Sequence, residues 1–239
     1  MKRLLAEHIT LKAANKLICR DLTLTLQAGE IWGILGQNGS GKTTLLHALA
    51  GLHPLTSGQI WLGQHTLSAL TPKTIAKQRA ILFQDTHPTF SLSVREYCLT
   101  ARYPHLSYFK KPSTHDQHII DQALEVVELT AHQQQAITTL SGGEKRRLAI
   151  AAVLAQTPLI YLLDEPTNHL DMRHQISVLQ HFRQLAQQQG ISIIMSLHDA
   201  NLARQFCDQV LLLFANGVAQ QGHVEELLAT ENLRRLYYF

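Results

Sequence analysis

The chain has 239 residues, of which 45% are apolar, 16% charged and 6% aromatic. This excludes a disordered or collagen-like chain and leaves room for one large domain or two small ones, with a core that needs no disulfide or metal. Twenty-one basic residues against 18 acidic ones give a net charge of +3, too weak a bias to argue for nucleic acid or an anionic membrane surface.

From His8 to Leu26 apolar and polar residues alternate, which predicts strands with one solvated face and a turn near Asn15. Ile31–Leu35 is a short apolar run expected to be a buried strand; a glycine-rich loop and a helix over 42–50 follow, with Gly51 as its stop. A strand pair is expected at 59–62 and near Thr66. Thr71-Pro72 reads as an N-cap with proline at the first helical position, leading to a strand at 80–83. Ser93 and Glu96 form a capping box for a helix that ends before Pro104, and a loop over 106–114 precedes a helix over 115–129.

Further on, helices are expected over 142–155, 172–189 and 200–206, and strands over 159–163, 191–196 and 209–214. Asn216-Gly217 marks a tight turn into 218–221, and 224–238 reads as one helix. Strands alternating with helices predict an α/β fold with a largely parallel sheet. The stretch 89–156 shows no strand pattern and reads as a helical insertion.

Neither Leu159–Leu163 nor Val210–Ala215, two apolar runs of strand length, approaches the ~20 residues of a spanning helix. Residues 1–10 lack the apolar stretch of a secretory signal, so a soluble, cytosolic chain is expected. Cys19, Cys98 and Cys207 are far apart with no CxxC pair, and the 14 histidines are scattered without HxxxH or HExxH spacing. Neither set predicts a metal site.

Gly36-Gln37-Asn38-Gly39-Ser40-Gly41-Lys42-Thr43 fits the phosphate-binding pattern G-x-x-x-x-G-K-[ST]. Its glycines let backbone N–H groups wrap a phosphate chain, and the following helix adds its bare N–H groups and positive end. Lys42 brings a compact charge and Thr43 a hydroxyl for Mg²⁺. The strand at 159–163 ends in Asp164 and Glu165, placed to divide the work between holding Mg²⁺ and polarising an attacking water. Leu140-Ser141-Gly142-Gly143-Glu144 opens a second helix with a capping box and two glycines, a second anion-seeking helix start. Two such starts exceed the needs of one nucleotide unless the second serves a neighbour, which predicts a head-to-tail pair of chains with ATP between them.

These residues resemble the ATP-binding-cassette (ABC) ATPases over essentially the whole chain. GQNGSGKT, the glutamine of ILFQDT, LSGGE, LIYLLDEPTNHLD and the histidine of MSLHDAN stand in the family's order. The resemblance implies a P-loop NTPase, RecA-like core with an N-terminal antiparallel β-subdomain and an inserted α-helical subdomain. Residues 1–88 and 157–239 would form the core with its β-subdomain, and 89–156 the helical part, of one domain. It further implies that Gly36, Asn38, Gly39, Ser40, Gly41, Lys42, Thr43 and Thr44 bind the nucleotide. Thr43, Gln84 and Asp164 would hold Mg²⁺, and Glu165, His198 and Gln84 would serve catalysis. Ser141, Gly142, Gly143, Glu144 and Asp171 would reach the nucleotide of the opposite subunit.

Two departures stand out. The family's aromatic residue that stacks on adenine corresponds to Ala13, and no aromatic precedes Trp32, which predicts adenine stacking that is weaker or is supplied by an aliphatic or lysine stem, and loose base selectivity. The helix after LSGGE also lacks the arginine common near 151–153. Ser93-Val94-Arg95-Glu96 with Ala101-Arg102-Tyr103-Pro104-His105, PTNHLDMRHQ and HDANLARQFCDQVLLL look like the ATPases of metal-chelate importers, which take up iron-siderophores, haem or vitamin B12. Phe109–Pro112 is similar to molybdate-type relatives, which also include tungstate importers, and Ala101 replaces the subfamily's usual glycine.

The implied partners are a second copy in the ATP state, two transmembrane permease subunits and a substrate-binding protein, with no nucleic acid. The implied place is the cytoplasmic face of the inner membrane, peripherally. The helix at 224–238 is expected to leave no room for an added regulatory domain. Phe90, Leu92, Tyr97 and Tyr103 belong either to a permease-docking groove or to the subdomain core. The alternatives are an exporter or lipoprotein-release ATPase, and a soluble ABC ATPase acting on ribosomes or nucleic acid.

Overall fold

The computed structural model describes residues 1–14, 16–84, 91–106 and 111–237; the expectations for Asn15, Phe90 and Phe109 lie outside these. The first half contains β1 (Lys2–Ala13), β2 (Lys16–Gln27), β3 (Ile31–Gly36), α1 (Lys42–Leu49), β4 (Ser57–Leu62), β5 (His65–Thr66), α2 (Pro72–Gln78) and β6 (Arg79–Leu82). Next come α3 (Val94–Thr100), α4 (Thr114–Val126), α5 (Gly142–Ala155), β7 (Ile160–Leu163), α6 (Met172–Gln189) and β8 (Ser192–Ser196). The chain closes with α7 (Ala200–Phe206), β9 (Gln209–Leu213), β10 (Ala219–His223), α8 (Val224–Leu227) and α9 (Thr230–Tyr237).

Two sheets result. The antiparallel sheet runs β2-β1-β4-β5 and the second β10-β9-β3-β8-β7-β6, in which every pairing is parallel except β10 with β9. Period-two alternation explains how the six-stranded sheet is covered on both faces. Ile34, Leu162, Ile194 and Leu211 face the antiparallel sheet and α1, where they meet Leu24, Leu26 and Leu45. Their neighbours Leu35, Leu163, Ile193 and Leu212 face the opposite core with Phe182 of α6 and Phe206 of α7. Each such leucine, fully buried, contributes roughly 1.5–3 kcal/mol. The thiols Cys19, Cys98 and Cys207 are all free and buried, in β2, α3 and the end of α7 respectively.

The described part of 89–156 is helical, as its sequence predicts. Its helices start on capping boxes: Ser93 with Glu96, Ser113 with Asp116, and Ser141 with Glu144. A buried ion pair joins the turn after α3 to α4 within this layer, Arg102 Nε donating to Asp116 Oδ1 at 2.9 Å, while Nη1 donates to Ala155 O and, beyond the layer, to Thr157 Oγ1, each at 2.8 Å. Among the candidate groove residues, Leu92 and Tyr97 are half-buried against this core, which assigns them to packing, whereas Tyr103 is 63% exposed. The C-terminal helix is corrected to two, α8 and α9. Leu228 turns out of helical geometry, and the Arg204 guanidinium and the Asn232 amide take the carbonyls of Leu228 and Leu227. Among the described residues no helix is long and apolar enough to cross a membrane.

Candidate active site

β3, β8 and β7 lie side by side, so the loops after their C-terminal ends converge on one edge of the sheet. The first of these loops runs from Gly36 to Gly41 and feeds α1. It is close-packed: a Cβ on Gly36 would stand 2.6 Å from Leu213 O, and one on Gly41 2.5 Å from Ile18 Cγ2. Gly41 also has φ 106°, a conformation that disfavours any side chain. It caps α1 with no side-chain hydrogen bond, so the helix start offers its N–H groups to a ligand.

Lys42 is 5% exposed, and its ammonium donates to Gly36 O at 3.0 Å and Gln37 O at 3.3 Å. Burial pushes its pKa down, while the charges of Glu165 and Asp164 pull it back up. A lysine folded onto its own loop is a parked cation, ready to exchange carbonyls for phosphate oxygens.

β7 delivers the two carboxylates in different directions. Asp164 is fully buried; Ser196 Oγ of β8 donates to its Oδ1 at 2.6 Å and accepts from Glu165 N at 2.8 Å. Asp164 Oδ2 is buried with no partner among the described residues. Glu165 has φ 47°, left-handed backbone on a non-glycine residue, a strain of order 1–3 kcal/mol that the surroundings must hold. Its Oε2 accepts from Gln84 Nε2 at 3.0 Å and from Asn168 Nδ2, and its Oε1 meets His198 Nε2. A cavity of about 550 Å³ joins these parts: Glu165, His198 and Gln84 at one end, Asn38, Gly39 and Gly41–Thr44 along it, and Ala13, Lys16 and Ile18 at the other.

The ABC transporter profile matches residues 19–168, more than half of the chain. The chain belongs to the ABC transporter family. The cassette is an ATPase and is 36% identical to a petrobactin import ATP-binding protein of Bacillus anthracis, over 99% of this chain and 86% of that one. It is 35% identical to a hemin import ATP-binding protein of Bordetella parapertussis, over 97% of this chain and 90% of the relative. Among solved structures, a chain of an inward-facing, metal-chelate type ABC transporter superposes with a TM-score of 0.86 at 32% identity, covering 100% of this chain and 90% of that chain.

In this cassette Gln84, Glu165 and His198 come together with the phosphate loop, whereas Ser141, Gly142, Gly143, Glu144 and Asp171 do not line that cavity. The second helix start is also less bare than its glycines suggest. Glu144 Oε2 accepts from Ser141 N and Ser141 Oγ, each at 2.8 Å, and Ser141 Oγ accepts from Glu144 N at 3.3 Å. Among the described residues the N–H groups of Gly142 and Gly143 have no side-chain acceptor there. Asp171 caps α6 by accepting from His174 N at 2.9 Å. Among the described residues no group of three or more His, Cys, Asp or Glu is arranged to hold a metal ion.

Two residues of the site carry no sequence motif. Arg146 of α5 is buried and donates to four main-chain carbonyls, those of Phe83, Gln84, Asp164 and Glu165, at 2.6–3.0 Å. It thereby holds the backbone beneath both Gln84 and Glu165. Lys16 lies at the cavity's far end, where its ammonium donates to Gly39 O at 2.6 Å. A basic residue in a helix or a hairpin gives no signal of such a partner.

Proposed function

We propose that this chain is the ATP-hydrolysing subunit of a metal-chelate importer, acting as a pair of copies around two ATP beside a separate membrane permease. The observation that carries the reading is Glu165 held by Gln84, Asn168 and His198 at the end of the phosphate-loop cavity. The import role is supported by the names of the relatives and by the metal-chelate type neighbour. A substrate-binding protein and a peripheral place on the cytoplasmic membrane face follow from the same reading. Residues 1–88 and 157–239 act as core and 89–156 as the helical layer.

The residues present suit Mg²⁺. Among the described residues Asp164 Oδ2 is a buried carboxylate oxygen without a partner, next in sequence to Glu165, and Thr43 and Gln84 line the cavity that Glu165 also lines; a hard cation prefers such oxygen donors. Thr43, Asp164 and the Gln84 amide oxygen would hold it. When bound, the ion neutralises charge on the β- and γ-phosphates.

The chain's own groups perform the rest. Backbone N–H groups over 38–44 cradle the phosphates, and Lys42 trades its loop carbonyls for phosphate oxygens. Glu165 accepts a hydrogen bond from the attacking water and pulls on its proton. Gln84, Asn168 and His198 fix the carboxylate's orientation, and His198, 42% exposed along its side chain, is placed to donate to the terminal phosphate as well. Ser141 and the N–H groups of Gly142 and Gly143 stand outside this chain's own cavity, which supports their meeting a partner's ATP.

The deciding experiment reconstitutes the chain with candidate permease chains in vesicles and follows ATP-dependent uptake of ferric chelates, haem and cobalamin. Uptake of one of them, lost with Glu165→Gln, is the expected result. ATP-driven efflux in its place overturns the import reading.

A further inference from the structure

We propose that Lys16 holds the nucleobase: its alkyl stem covers one face of the ring while its ammonium is tied to the phosphate loop through Gly39 O. The proposal rests on the ATPase reading and names the substrate class of that site, purine nucleoside triphosphates without discrimination between adenine and guanine.

The cavity has a direction. Glu165, His198 and Gln84 mark the end where a terminal phosphate must react, and Lys42, Thr43 and Thr44 occupy the middle. The base must therefore lie towards Ala13, Lys16 and Ile18. No aromatic ring stands among the described lining residues at that end. Ala13 presents a methyl group. Ile18 is 2% exposed and is packed against Gly41, so its side chain is already used to dock the hairpin on the loop.

Lys16 remains. It sits directly opposite Ala13 in the β1–β2 register, which places the two Cβ atoms on neighbouring positions of one hairpin end. A free surface lysine samples many rotamers, but the 2.6 Å bond to Gly39 O ties the exposed ammonium of this one to the phosphate loop and favours the stem lying between the two. Its stem becomes a ledge across the cavity mouth, and the small Ala13 leaves room beside it. A cation and its methylenes attract the face of any aromatic ring. A face contact reads no donor or acceptor on the base edge, so adenine and guanine are held alike.

The test uses the full chain and competition against a fluorescent nucleotide by ATP, GTP and inorganic tripolyphosphate. Wild type should bind ATP and GTP within about threefold of each other, because no edge is read. Lys16→Ala should weaken ATP and GTP together, each by about two- to fivefold, the size of an exposed contact between a lysine side chain and a ring. Tripolyphosphate, which has no base, should change less than about twofold. Lys16→Met keeps the stem and should lose less than Lys16→Ala. Adding Ala13→Tyr to Lys16→Ala should restore ATP binding, since a ring again covers the base.

An equal loss for tripolyphosphate overturns the proposal, because Lys16 would then act on phosphate charge. Unchanged ATP affinity in Lys16→Ala, or strong preference for ATP over GTP in wild type, also overturns it. Failure of the ATPase reading itself would show differently, as no competition by any of the three compounds with the wild-type chain.

Discussion

A glycine caps α1 and a glycine opens α5, yet the two helix starts are built for opposite ends. Gly41 leads α1 with no side-chain cap, and the bare N–H groups open into the cavity. Ser141 and Glu144 close α5 with a reciprocal box, as Ser93 and Glu96 do for α3 and Ser113 and Asp116 for α4. A helix start that must take a phosphate forgoes the roughly 1 kcal/mol a cap contributes. One whose ligand arrives on another molecule keeps its cap and leaves only the N–H groups between cap and box free. On the proposed reading, the contrast separates the half of the nucleotide site that takes phosphate within one chain from the half that serves only at an interface.

The sharpest way to probe the contrast is to disable the phosphate-loop half of the site while leaving it occupied. Glu165→Gln should lower phosphate release by roughly 10²–10⁴-fold and keep ATP binding, so that gel filtration with ATP shows a stable dimer; a monomer would count against the shared site. Lys42→Ala should lower turnover by roughly 10²–10³-fold through loss of phosphate binding, and normal hydrolysis would remove the phosphate-loop assignment. Ser141→Arg should abolish ATP-driven pairing while the isolated chain still binds nucleotide. Weakened binding in that monomer would mean that α5 serves its own chain.

Smaller effects test the caps as caps. Ser141→Ala should lower stability by about 1 kcal/mol, read as a shift in thermal midpoint, with nucleotide binding by the isolated chain unchanged. At α4 the hydrogen bonds from Ser113, and then Arg102, hold the Asp116 carboxyl at about 2, below its ordinary 3.8. Its contribution is therefore complete above the unfolded value and is lost as pH falls from about 4 towards 2. An acid titration of unfolding should show this loss in wild type and a flatter profile in Asp116→Asn.

Local chemistry makes much of this legible in the amino-acid sequence. The phosphate loop announces itself because glycine and lysine are needed at fixed spacing. The boxes at Ser93 and Ser141 follow the S-x-x-E pattern. The one at Ser113 escapes that pattern because its third helical residue is an aspartate, and α4 accordingly starts a residue earlier than its sequence suggests. The break between α8 and α9 is illegible because Arg204 and Asn232 supply the competing donors. Arg146 is illegible for a related reason: the carbonyls of Phe83, Gln84, Asp164 and Glu165 that it holds come from two loops that meet only after the sheet has formed. The carboxylate pair is visible at a strand end, but the anchoring of Asp164 through Ser196 depends on β7 and β8 being neighbours.

The three thiols carry a practical consequence. Cys19 lies in the antiparallel sheet, Cys98 in the helical layer and Cys207 beneath the parallel sheet. Burial raises the first to about 11 and the second to about 12, and raises the third as well. Alkylation must then wait for each region to open, because the thiolate is the reacting species. Labelling rates at these natural positions become three clocks, each timing the opening of one layer, and ATP should slow whichever layers it locks together.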